Sequence, residues 1–345
     1  MKTLPFGLDI GAHSVKAVWL NRENNGFFLK SALTYPAPPR GMASESPVDQ
    51  QEMAHVLRKI VSEGKITTPY VNIALPESQV YTRVIEMPVL SDKELASAIY
   101  WEAEQQIPVP LSTISIDWSV LRRPQDGQIT EKMTVLLVGA PSSLLEKYQK
   151  IVSLAGFVIN SIETEVLSVM RALIGTKQHP PSLVLNIGTQ TTSLAIVREQ
   201  IMIFTYSIPM GGSAISRAIA SDFGVDISKA DEYKKLYGIA PNAGGGRIGK
   251  ATEPILLSIF TEVRKAIVFY AEKYKSESSI QQILLSGASA KLPWLDAFFA
   301  ENAGIETVVA NPWSVLLNKD QLPVEISGNG PDYTVAVGLA MRSYE

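Results

Sequence analysis

The chain has 345 residues, 46% of them hydrophobic, with 31 Lys and Arg against 34 Asp and Glu, a formal net charge of −3, three histidines and no cysteine. That length and apolar content allow a large core divided between two lobes, the mixed charge gives no electrostatic reason to expect nucleic acid, and the lack of cysteine excludes disulfides and thiolate chemistry, as is compatible with the cytosol. His13, His55 and His179 have no metal-ligand spacing and read as surface or loop residues, and no apolar run approaches the roughly 18 residues of a transmembrane helix, so membrane association is expected only through a partner.

Met1 to Pro5 is expected to run straight into the first strand. Gly7-Leu8-Asp9-Ile10-Gly11-Ala12-His13-Ser14-Val15-Lys16 then reads as a strand, a glycine turn and the start of a return strand over residues 16–20. Gly11 is expected to take φ > 0 and to let backbone N–H groups approach an anion. Ser14 adds a hydroxyl donor, Lys16 offsets anionic charge, and Asp9 is useful beside a phosphate only across a divalent cation or its water. A third strand over 26–33, a Pro/Gly/Ser-rich loop over 35–47, a helix from Val48 with Met53, Val56, Leu57, Ile60 and Val61 on one face, and a strand over 71–76 follow.

From residue 77 to 156 the pattern changes to a self-contained β-α-β-β-α unit: strand 79–87, helix 91–105, strands 114–121 and 133–138, and helix 142–154. Ser91 and Glu94 have the spacing of a capping box, and residues 122–127 read as the hairpin turn. Within this unit the segment from Trp101 to Pro108 has two readings, a partner-facing surface or, as the working expectation, Trp101 as core.

Past residue 181 the first hairpin recurs. Leu185-Asn186-Ile187-Gly188-Thr189-Gln190-Thr191-Thr192-Ser193 repeats its pattern, with Gly188 lying 177 residues after Gly11 and a return strand over 193–197. Either stretch alone is compatible with an ordinary hairpin; together they point to one nucleotide held between two related halves. A strand over 201–208, Pro209-Met210-Gly211-Gly212-Ser213, helices over 214–223, 226–237 and 253–275, a strand over 282–286 and a last helix over 332–342 complete the chain. On the third of those helices Ile255, Ile259, Val263, Ile267 and Tyr270 have core spacing. Gly244-Gly245-Gly246-Arg247-Ile248-Gly249-Lys250-Ala251 nearly spells a Walker A loop, but Ala251 stands where the magnesium-binding hydroxyl belongs and no apolar strand precedes it, so a mobile surface loop is expected.

The paired hairpins, the small-residue turn Gly287-Ala288-Ser289-Ala290 and the closing helix with Gly338-Leu339-Ala340 resemble the actin, sugar kinase and heat-shock chaperone superfamily. Ala74-Leu75-Pro76-Glu77-Ser78-Gln79-Val80, Glu86-Met87-Pro88-Val89-Leu90 and Trp101-Glu102-Ala103-Glu104-Gln105-Gln106-Ile107-Pro108 are similar to the PilM family of actin-like type IV pilus assembly proteins. The resemblance covers essentially the whole chain. It implies an α/β, two-lobed actin-like (ribonuclease H-like) ATPase fold with an FtsA-type inserted subdomain. The implied division is first lobe 1–76, insert 77–156, first lobe again 157–180, second lobe 181–210, its outer part 211–274, second lobe 275–331 and a closing helix 332–345 on the first lobe.

The same resemblance implies ATP and Mg2+ as ligands. Asp9, Gly11, Ser14 and Lys16 match one phosphate loop, with Asp9 toward the metal, and Gly188, Gln190, Thr191 and Thr192 match the other. Gly211 and Gly212 match a glycine pair near the nucleotide, Asp231 and Lys234 the adenosine end, Gly287 and Ser289 the adenosine turn, and Glu165 an acid that orients attacking water. Asn186 stands where many hydrolytic relatives have aspartate, and Ala288 replaces a second glycine, so binding with slow or negligible hydrolysis is expected. The implied partner is the N-terminal peptide of a PilN-type membrane protein in a groove between first lobe and insert. Other pilus platform proteins, assembly ATPases and copies of the chain itself are further expected partners, and the implied location is cytoplasmic, at the inner membrane. A sugar or acetate kinase is the enzyme alternative, and Asn186 removes its commonest base position. An FtsA-like division protein is the third reading, against which the chain stops at Arg342-Ser343-Tyr344-Glu345 without a basic amphipathic helix.

Overall fold

The computed structural model describes residues 4–23, 26–124, 132–175, 179–242, 245–275 and 278–344. Met1 to Thr3, residues 125–127 of the expected hairpin turn, Gly244 of the Walker-like stretch and Glu345 lie outside the described residues.

Chain order in the first lobe is β1 (Phe6–Ile10), β2 (Ser14–Glu23), β3 (Gly26–Pro36), α1 (Pro47–Glu63) and β4 (Tyr70–Leu75). The insert follows with β5 (Tyr81–Met87), α2 (Asp92–Gln106), β6 (Ile114–Arg122), β7 (Met133–Pro141) and α3 (Ser142–Leu154), before β8 (Val158–Thr164) and α4 (Glu165–Leu173) return to the first lobe. The second lobe runs β9 (Ser182–Ile187), β10 (Thr192–Arg198), β11 (Ile201–Ile208), α5 (Gly212–Phe223), α6 (Ile227–Tyr237), α7 (Arg247–Lys273), β12 (Gln282–Ser286), α8 (Leu295–Ala303) and β13 (Glu306–Val309). A single turn, α9 (Val324–Ser327), precedes α10 (Thr334–Met341).

Two five-stranded sheets carry the duplication seen in the hairpins. Their orders, β3-β2-β1-β4-β8 and β11-β10-β9-β12-β13, are the same arrangement of an antiparallel meander joined to two parallel strands. Each sheet has its own core, one built on Phe6, Leu8, Met53, Leu57 and Ile73, the other on Leu185, Ile215, Ile259, Val263 and Phe299. A third cluster, with Val169, Val184, Ala195, Leu284, Val335 and Leu339, joins the lobes. The fold is the expected two-lobed actin-like one.

The insert is a three-stranded sheet, β5-β7-β6, with α2 laid on it through Leu95, Ile99 and Ala103. The Ser91 to Glu94 capping box forms, each side chain bonding the other's backbone N–H. Trp101 is not core: it is 71% exposed. Its position, two residues past Ile99, falls on the far side of a helix whose buried stripe repeats every four residues. The unit is not self-contained either. Its last helix, α3, buries Leu144, Tyr148, Ile151 and Val152 in the first-lobe core beside α1. The insert meets the second lobe by a Lys273 to Glu86 ion pair at 2.9 Å, among other contacts.

Residues 247–251 of the Walker-like stretch are the first turns of α7 and not a loop. Ile248 is 1% exposed and Thr252 is fully buried in the second-lobe core, so burial overrides the poor helix propensity of Gly249. The helix also continues through Pro254, the breaker before which it was expected to start only at 253.

Helix α10 seats on the first lobe through backbone contact. A Cβ on Gly338 would lie 1.9 Å from the Ser168 carbonyl oxygen, and one on Gly7 would lie 2.2 Å from the Ala336 carbonyl oxygen. Buried Asn72 pins the same helix by donating to the Leu339 carbonyl at 2.9 Å.

Candidate functional site

Both hairpins close by local bonds. Gly11 N–H donates to the Ser14 carbonyl at 3.0 Å, and Gly188 N–H donates to the Thr191 carbonyl at 2.9 Å. Neither glycine takes the expected positive φ; Gly287 does, at +85°. The glycines are required for space instead, since a Cβ would stand 2.9 Å from the Ser14 oxygen at Gly11 and 3.1 Å from the Thr191 oxygen at Gly188. The glycine N–H groups are thus spent on the turns, and the residues that follow them face outward.

The hairpins confront each other across a cleft of about 270 Å³. The first lobe contributes Asp9, Gly11, Ser14, Lys16 and Glu165 to its wall, and the second contributes Gly188, Gln190, Thr191 and Gly287. Register puts Asp9 opposite Lys16, and the ammonium lies 3.5 Å from the carboxylate and 3.0 Å from the Ser14 hydroxyl. At the equivalent place in the second hairpin Asn186 lies opposite Ser193, a neutral pair. The Asn186 side-chain oxygen accepts from Ser286 on β12 at 3.4 Å.

The other expected residues do not line the cleft. Thr192 is buried and its hydroxyl donates to the Met210 carbonyl at 2.8 Å. Gly211, Gly212, Asp231, Lys234 and Ser289 form a knot behind the second hairpin. Gly212 N–H donates to the Gly188 carbonyl at 2.9 Å, and a Cβ on Gly212 would stand 2.4 Å from the Ser289 hydroxyl and 3.5 Å from the Lys234 ammonium. Lys234 donates to the Gly212 carbonyl at 3.1 Å and to Ser216 at 2.8 Å, and lies 2.6 Å from Asp231. Burial works to raise the Asp231 pKa, but the bonds from Lys234 and Lys235 outweigh it and hold that carboxyl well below the usual range.

Glu165 is the first residue of α4 and sits half-buried on the cleft wall. Burial, then the charges of Asp9 and Glu77, push its pKa from 4.5 up to about 8, against the pull of the Glu77 N–H and Lys16. A carboxyl raised this far favours its protonated form at neutral pH, which suits a hydrogen-bond donor better than a base.

A nucleotide suits this donor set. One ammonium, hydroxyls at Ser14 and Thr191, the Gln190 amide and the narrow turn at Gly287 offer cation and dipoles to phosphate, and mutually facing hairpins can enclose it. Among the described residues no group of three or more His, Cys, Asp or Glu could hold a metal. A magnesium ion would therefore need the phosphate's own oxygens and water, with Asp9 as a carboxylate on the cleft wall that could hold its water.

The cleft also contains residues that the sequence reading passed over: Pro39 to Ala43, Pro76, Ser78, Gln79, Tyr148 and Asp332. Tyr148 had a legible signal, being the one side chain with a polar atom on the stripe Leu144, Tyr148, Ile151, Val152. The loop residues had none.

The family model for the type IV pilus assembly protein PilM matches residues 7–344. A solved PilM-PilN type IV pilus biogenesis complex superposes with a TM-score of 0.85 at 26% identity, covering all of both chains. Cell division protein FtsA of Streptococcus pneumoniae serotype 2 (strain D39 / NCTC 7466) is 22% identical over 256 residues, 68% of this chain, and the match spans only 56% of that relative. MreB 5 of Spiroplasma citri bound to AMPPNP matches at a TM-score of 0.55 and 13% identity over 98% of this chain and 95% of that one, a likeness of fold alone.

Proposed function

From the premise that the chain belongs to the PilM family of type IV pilus assembly proteins, we propose that it is an ATP-binding scaffold of the pilus assembly platform at the inner membrane. It takes the N-terminal peptide of a PilN-type membrane protein in a groove between first lobe and insert. The observation that carries the nucleotide part is the pair of equivalent hairpins facing one cleft, with Asp9, Ser14 and Lys16 on one side and Gly188, Gln190 and Thr191 on the other. The solved relative in complex with PilN supports the partner. Among the described residues no helix is long and apolar enough to cross a membrane, so on this reading the partner supplies the link to it.

Within this proposal the knot of Gly211, Gly212, Asp231, Lys234 and Ser289 shapes the adenosine end, Asp9 and water hold Mg2+, and the segment division given above applies. Hydrolysis is slow. Asn186 brings no charge to polarise water, and Glu165 in its protonated form is a poor base. Other platform proteins, assembly ATPases and further copies of the chain are the remaining partners of the scaffold, which is cytoplasmic.

The test is a calorimetric titration of the Mg·ATP-loaded protein with a synthetic peptide from the cytoplasmic N-terminus of the PilN-type protein of the same organism. Saturable binding that a scrambled peptide fails to reproduce is the expected result. No binding by folded, nucleotide-loaded protein would favour a small-molecule kinase or an FtsA-like role.

A further inference from the structure

Helix α3 has two attachments, one to the insert and one to the first lobe. It leaves β7, the central strand of the insert's sheet, at the Pro141 to Ser142 junction without an intervening loop. Its apolar stripe then packs into the first-lobe core.

Tyr148 lies on that stripe, 2% exposed, yet it belongs to the wall of the cleft together with Asp9, Ser14, Lys16 and Glu165. No hydrogen bond of its hydroxyl is found among the described residues, and that hydroxyl is not one of the fully buried polar atoms left without a partner, which leaves it open to the cleft. Phe would fill the packing part of this position equally well, and the hydroxyl adds a donor at the cleft wall. Burial first, then the charges of Glu165 and Asp9, push its pKa well above the usual phenol range, so it remains a neutral donor throughout the working pH. A neutral donor beside two carboxyl groups and one ammonium is suited to an anionic oxygen that arrives with its own cation.

The neighbouring residue holds another first-lobe segment of the wall. Lys147 donates to the Met42 carbonyl at 3.2 Å and pairs with Glu45, which ties α3 to the loop whose residues Pro39 to Ala43 line the cleft.

We propose that the Tyr148 hydroxyl donates a hydrogen bond to the phosphate end of the bound nucleotide, making the exit helix of the insert part of the phosphate site. This rests on the nucleotide reading above and adds a ligand-binding residue to it. It also gives cleft occupancy a direct covalent route to the insert, through α3 into β7.

The experiment compares wild-type protein and Tyr148→Phe, which keeps the ring, in titrations with Mg·ATP and with adenosine. The expected result is an ATP affinity lowered about five- to tenfold, an adenosine affinity changed less than twofold, and an unfolding midpoint no lower than wild type. Wild-type binding of ATP with an unchanged Tyr148→Phe overturns the proposal while leaving the nucleotide reading intact. Equal losses for ATP and adenosine also overturn it, since they mark a packing role. Wild-type protein that takes no ATP overturns both. A fluorotyrosine at position 148 gives an independent readout: its fluorine resonance is expected to shift on ATP addition, and a resonance that does not move counts against the bond.

Discussion

The two hairpins share their place in the sheet and differ in what they put there. β1 and β2 set Asp9 against Lys16, while β9 and β10 set Asn186 against Ser193 at the equivalent pair. Strand order, turn glycine and the bond that closes the turn are the same in both halves. Duplication therefore fixes the cradle, and the cross-strand side-chain pair decides whether it carries charge. The charged pair is nearly buried on the cleft wall, and removing one partner of such a pair leaves the other charge poorly solvated. The neutral pair has no such dependence.

The strongest way to break this comparison is to substitute both pairs. Asp9→Ala and Lys16→Ala are each expected to weaken Mg·ATP binding about a hundredfold, ~3 kcal/mol, with the chain still folded, whereas Ser193→Ala changes it less than twofold. Calorimetric titration of the three variants measures this, and equal effects in both hairpins would dissolve the asymmetry.

A second test uses pH, because Glu165 lies on the charged side. Its pKa is raised in the folded state to about 8, so the unfolded chain binds fewer protons between pH 4.5 and 8 and stability falls as pH rises through that window. Glu165→Gln is expected to remove the fall, and denaturant unfolding at pH 5 and pH 9 should show the variant gaining about 2 kcal/mol relative to wild type at the higher pH. Parallel pH profiles would mean that this carboxyl is ionised in the folded protein.

The smallest expected effect comes from making the halves more alike. Asn186→Asp gives the second hairpin the acid that the first has, and steady-state phosphate release is expected to rise about threefold, under 1 kcal/mol of barrier. An unchanged rate would put the limit elsewhere, with protonated Glu165 as the next position to alter.

Trp101 and Tyr148 mark where sequence reading stops. Both are aromatic residues on insert helices, and composition favours a core place for each. Helix phase separates them: Trp101 falls opposite the stripe of Leu95, Ile99 and Ala103, and Tyr148 falls on the stripe begun by Leu144. The start of α7 was illegible for a related reason. Glycines and Pro254 argue against a helix there locally, and the buried anchors Ile248 and Thr252 reverse the outcome through contacts made far along the chain. The turn glycines are legible in the sequence, but their role is only seen in three dimensions, since they relieve close backbone approach and do not supply positive φ.

By itself the sequence determined the duplicated hairpins, the two-lobed fold they imply and the insert between them. Those features depend on spacing and turn chemistry within about ten residues, which a linear pattern records. Only the tertiary structure decided that Glu165 and Tyr148 share a wall with Asp9, that Asp231 and Lys234 are spent on each other behind it, and that Trp101 faces outward. Those outcomes depend on how helices separated by most of a lobe pack onto one sheet, and packing is set by shape and burial over distances that local periodicity does not encode.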